Sequence, residues 1–123
     1  MPAIVAFLRS LPDIPSGSAT GDMNGRQVGN ITVYVEHNGG FRMVRDRMDR
    51  IDVIYEVYAP DREVAAGLAF LVRGHFLETA PATESKDLFF LDTQEINMPE
   101  YEPDSTSREH MYSGEVSLFY VDA

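Results

Sequence analysis

The stretch that decides the fold is "IDVIYEVYAPDREVAAGLAFLVRGHF", residues 51–76. Its first half alternates, with Ile51, Val53, Tyr55 and Val57 on one side and Asp52, Ile54, Glu56 and Tyr58 on the other. A period of two marks a strand with one buried face. Ala59-Pro60 ends it, because proline lacks a backbone donor and restricts the residue before it. From Pro60 the period changes. Val64, Ala65, Leu68, Ala69, Leu71, Val72 and Phe76 recur at three- and four-residue steps, which is an apolar stripe on a helix. Asp61 and Glu63 place negative charge in the first turn, where the helix dipole favours it. The corner therefore drops an amphipathic helix onto the sheet it must cover. Gly67 and Gly74 weaken that helix by about 1 kcal/mol each relative to alanine, which implies close packing there or fraying after Gly74.

Upstream, Ile4, Phe7, Leu8 and Leu11 stand at helical spacing in residues 2–11, and Pro12 and Pro15 stop that short helix. Residues 14–30 hold four glycines among Ser and Thr, a composition that predicts a flexible loop without a regular element. Ile31, Val33 and Val35 then alternate with Thr32, Tyr34 and Glu36, and Asn38-Gly39-Gly40 predicts a hairpin turn into the next strand. Downstream, "KDLFFLDTQEI" predicts a strand with Leu88 and Phe90 on one face. Residues 97–109, acidic and broken by proline, predict a second flexible loop. The closing "HMYSGEVSLFYV" alternates Val116, Leu118 and Tyr120 against Ser117, Phe119 and Val121. Both of its faces are partly apolar, so it is central in its sheet or covered from outside. The expected architecture is one α+β domain over residues 1–123: a mainly antiparallel sheet of about four strands, one long helix on a face, and a short N-terminal helix.

With 20 acidic and 10 basic residues, the formal net charge is −10. A nucleic-acid binder needs a basic face for phosphates, so this balance argues against one. There are no cysteines, which excludes a disulfide framework and a thiol nucleophile. Residues 2–11 lack the length of a membrane span and the flanks of a signal peptide, so folding inside the cell is expected. All basic residues but Lys86 are Arg; interface pairing and genomic base composition both produce that skew.

Chemistry is harder to find. His37, His75 and His110 follow no metal-ligand spacing. The Gly-rich stretch lacks the Gly-Lys-Ser/Thr of a phosphate loop, and no Gly-x-Ser-x-Gly elbow occurs. Enzyme activity, cofactors and a metal are not expected. Two features invite partners instead. The run "RMVRDRMDR", residues 42–50, carries Arg42, Arg45, Arg47 and Arg50; such charges protect an edge strand, or serve a protein contact rich in Arg and Met. The second is the apolar outer faces of the strands, including Ile54, Tyr58 and Phe119. One helix covers one face, so the N-terminal helix or another subunit must cover the other.

The succession of "AFLRSLP", "VEHNGGF", the strand-helix stretch quoted above, and a polar loop before a closing strand resembles the tail-terminator (tail-completion) proteins of long-tailed bacteriophages. The most telling part is the strand end in Val-Tyr-Ala followed by Glu63, Ala65, Leu68, Ala69, Val72 and Arg73. The resemblance implies a structural virion protein, made in the host cytoplasm. It would form a ring, typically of six subunits, that caps the tail tube and joins it to the head or neck. Its partners would be copies of itself, the tail tube protein and a connector or neck protein, with DNA passing through unbound. An acidic lumen repels phosphate, and the loop bearing Glu100, Glu102 and Asp104 is the candidate for it. The alternatives are a small acidic binding module or inhibitor that mimics DNA, or a neighbouring head–tail joining neck protein.

Overall fold

The computed structural model describes residues 2–24, 26–27, 29–44, 48–102 and 109–123. Helix α1 spans Pro2–Arg9, followed by strands β1 (Ala19–Thr20), β2 (Thr32–Val44) and β3 (Met48–Ala59). Helix α2 (Arg62–Gly74) runs into a π-helical turn, His75–Thr79, and strands β4 (Thr83–Ser85), β5 (Leu88–Tyr101) and β6 (His110–Asp122) complete the chain. The six strands form one sheet in the order β1-β2-β3-β6-β5-β4. Only β1 and β2 are parallel; the other neighbours are antiparallel. About half of the chain is strand, curled into a half-barrel.

This corrects the expectation of four antiparallel strands with one long helix on a face. The sheet is mixed and six-stranded, and two helices share its inner side. The two extra strands, β1 and β4, have two and three residues, too short to carry a period. Contacts outside their own sequence hold them: Arg9 Nε donates to Ala19 O at 3.0 Å, and Ser85 Oγ donates to Ala3 O at 2.6 Å. Thus α1 is tied to both margins of the sheet. Residues 14–30, expected to lack a regular element, supply β1. Residues 97–101, expected in a loop, belong to β5, because an edge strand tolerates the missing N–H of Pro99. Asn38–Gly40 is not the hairpin turn: β2 continues through it to Val44, with a bulge between His37 and Gly40. Gly39 and Gly40 have φ of 90° and 145°. A Cβ on Gly40 would stand 2.1 Å from Arg50 O, so the bulge requires glycine there.

The alternation that opens the sequence holds. Val53, Tyr55 and Val57 are buried, and they pair across the sheet with Val116, Gly114 and Tyr112 of β6, which is central, one of the two placements its sequence allows. On this inner face Phe7 and Leu8 of α1 meet Leu68, Val72 and Phe76 from α2 and its turn. Phe7 lies edge-on to Phe90 at 6.1 Å, and Tyr55 meets Phe76 at 5.5 Å. Asp61 caps α2, its Oδ1 accepting from Glu63 N at 2.9 Å. The N-terminal helix is therefore committed to the same side as α2 and does not cover the outer face.

Candidate functional site

Cross-strand register fixes the outer face. Arg50 is opposite Phe119, Asp52 opposite Ser117, Ile54 opposite Glu115, Glu56 opposite Ser113 and Tyr58 opposite Met111. Directly paired residues share a face, so four of the expected contact residues, Arg50, Ile54, Tyr58 and Phe119, come together there. Arg42 sits near the end of β2, its Nε donating to Asp49 Oδ1 at 3.1 Å. Arg45, Arg47 and Asp104 lie outside the described residues.

Glu100 pairs with Ser113 and so belongs to this same outer face. Glu100, Glu102, Asn97, Ile54 and Glu115 line a shallow depression of about 200 Å³. The residues expected in a lumen and those expected in a contact thus share one surface. Its electrostatics differ from end to end. Around Ile54 it is acidic: burial, opposed by a hydrogen bond from Tyr58 and joined by the charges of Glu36 and Glu102, raises the Glu56 carboxyl above its ordinary range. Toward Phe119, Arg50 Nε donates to Asp52 Oδ1 at 2.9 Å, and Ser117 Oγ donates to the same atom at 2.6 Å. Burial works to raise the Asp52 carboxyl, but those two hydrogen bonds and the Arg50 charge outweigh it and hold it below the ordinary value. The Arg50 guanidinium also lies 5.2 Å from the centre of the Phe41 ring.

Tyr58 has a cover that the sequence did not announce. Arg26 lies 4.8 Å from its ring centre and is anchored to Glu109, with Nη1 donating to Oε2 at 2.9 Å. Arg26 Nε also donates to Thr32 Oγ1 at 2.6 Å, and Gly29 N donates to Glu109 Oε1 at 3.0 Å. The residues following β1 are thereby strapped to the start of β6. The two partners are 83 residues apart, so no local pattern marks them.

Sequence reading also missed the sheet edges. Beside β2, β1 pairs only with Val33 and Tyr34. Beside β5, β4 pairs only with Leu88, Phe89 and Phe90. Among the described residues, no strand pairs with the outer side of 35–44 or of 91–101. Large apolar side chains are exposed along both: Phe41 on β2, and Leu91, Ile96 and Met98 on β5. Elsewhere, a groove of about 680 Å³ runs beside α1 between Val5, Arg9, Asp22 and Lys86, and it meets neither edge. No three His, Asp or Glu among the described residues are grouped to hold a metal. What the surface offers is contact area and open backbone. No protein-family model matches the chain, and no curated protein matches it.

Proposed function

We propose that this chain is a structural joining protein of a long-tailed phage, a tail terminator whose copies close into a ring on the tail tube and meet the head or neck. The observation that carries this reading is the placement of both helices on the inner side of the sheet. The outer face, with Ile54 and Phe119, is left to a neighbour, and two different strand edges are open. A ring needs two unlike patches on each subunit, because a head-to-tail contact joins different surfaces. The acidic depression around Glu100 and Glu102 is suited to a surface that phosphate passes without sticking. The resemblance in residues 51–76 is the support for a tail protein, and the uncovered outer face and open edges support assembly through them. The partners would be further copies, the tube protein and a neck or connector protein.

The test is co-expression with the tail tube protein encoded in the same genome, followed by gold labelling of this chain under the electron microscope. Label confined to one tube end, on tubes that stop growing, is the expected result. Label scattered along the tubes, or none, rejects the reading.

A further inference from the structure

We propose that neighbouring copies join by β-strand pairing, the open edge of β2 in one copy bonding to the open edge of β5 in the next. The inference rests on the ring reading and specifies its contact. Each edge is a row of backbone donors and acceptors that lacks a strand partner among the described residues, and such a row is a template for another strand. Val33 N donates to Ser18 O of the chain entering β1 at 2.9 Å. The parallel pairing of Thr20 with Tyr34 takes up the Val35 N–H as well, and with a period of two the N–H of His37 is the next to point outward, past the end of β1.

Direction and chemistry select the second copy as the occupant. Strands β2, β3, β6 and β5 alternate in direction, so β2 and β5 are antiparallel. A copy placed by rotation about a ring axis brings its β5 beside β2 with the alternation unbroken. The exposed Phe41 (56%) then has Leu91 (41%), Ile96 (38%) and Met98 (53%) to pack against. Asp92 and Glu100 make the outer face of β5 acidic, and this is the face on which Phe41 of β2 pairs with Arg50. Two-fold pairing is disfavoured by the same charges, since β5 against β5 would set acidic residues opposite each other. Bulges in both strands and Pro99 in β5 discourage unselective partners. The covered parts of the two edges lie at opposite ends of the sheet, so joining the open parts offsets each copy along the strands. Strand tilt absorbs such an offset, as in a closed barrel.

The chain has no cysteine, which makes cross-linking clean. Phe41→Cys is combined in turn with Leu91→Cys, Ile96→Cys or Met98→Cys, which scans the register, and the purified protein is oxidised after its native mass is recorded. The expected result for at least one combination is a covalent ladder rising to the ring number, with each single-cysteine variant remaining monomeric on a denaturing gel. A ring by native mass without a ladder in any combination overturns this contact and leaves the ring reading standing. Dimers from a single-cysteine variant show two-fold pairing and also overturn it. Absence of any assembly, alone or on tube ends, removes both. A second variant, His37→Pro, deletes an outward donor; loss of the assembly with retained circular dichroism is expected, and an intact ring overturns the proposal.

Discussion

Removing Arg26 should unlock the strap that joins the start of the sheet to β6. The side chains of Arg26 and Glu109 are only 10% and 4% exposed, so solvent screens the pair weakly. Arg26→Ala removes both guanidinium bonds from the buried Glu109 carboxylate, which keeps the Gly29 N–H among its donors. Breaking a buried pair on one side costs about 3–5 kcal/mol. For 123 residues, an unfolding entropy of about 2.1 cal/mol/K per residue makes each 1 kcal/mol worth about 4 °C in Tm. Arg26→Ala should therefore lower Tm by about 12–20 °C. The double variant Arg26→Met, Glu109→Leu, which removes both charges, should recover most of that loss, because apolar replacement of a buried pair is often near neutral. The assay is thermal and urea unfolding followed by circular dichroism for the single and double variants. A loss below about 1 kcal/mol for Arg26→Ala, or a double variant as unstable as the single, would refute the assignment of a buried lock.

Three further outcomes follow from named contacts. A Cβ on Gly114 would stand 2.4 Å from Tyr55 Oη and 2.5 Å from Cζ; because Tyr55 is held against Phe76, Gly114→Ala should cost about 1–3 kcal/mol of overpacking, and an unchanged urea midpoint rejects that packing. Asp61→Ala removes the cap of α2 and should cost about 1 kcal/mol, read as a Tm lowered by about 4 °C. Burial chiefly raises the Glu56 carboxyl pKa, so the folded state binds its proton more tightly than the unfolded state, and ionisation of Glu56 lowers stability as pH rises through the unfolded and folded values. Glu56→Gln should accordingly stabilise the protein at pH 7, with the gain fading as acid protonates the wild-type carboxyl; melts at pH 7 and at about pH 3.5 check it, and a gain that grows on acidification contradicts the sign.

The parts of the fold visible in the sequence are those whose period matches their burial. The β3 alternation from Ile51 to Tyr58 and the α2 stripe through Ala65, Leu68 and Val72 read directly, because one face of each is buried. Strands β1 and β4 are invisible because their position beside β2 and β5, and their bonds to Arg9 and Ala3, hold them rather than any pattern of their own. The glycines at 39 and 40 read as a turn since positive φ serves a bulge as well as a hairpin. Pro99 read as a loop signal, yet at an edge its missing donor faces no partner within the sheet. Alternation alone puts Ile54 and Phe119 on the face opposite Val53 and Leu118, whereas Arg50 stands out only as part of the arginine run at 42–50. Phe41, Leu91, Ile96 and Met98 are not legible as an edge, because an open edge is a property of which strand lacks a neighbour. Nor is the contact of Arg26 with Glu109, which only the strand order β1-β2-β3-β6 brings within reach.

The ring itself is most directly tested by native mass of the purified protein across concentration, salt and magnesium, with electron microscopy of any large species, alone and with isolated tube ends. The account predicts a closed species of about six subunits with a central opening, as expected for head-to-tail closure. A monomer or a two-fold dimer under every condition, tube ends included, would contradict it.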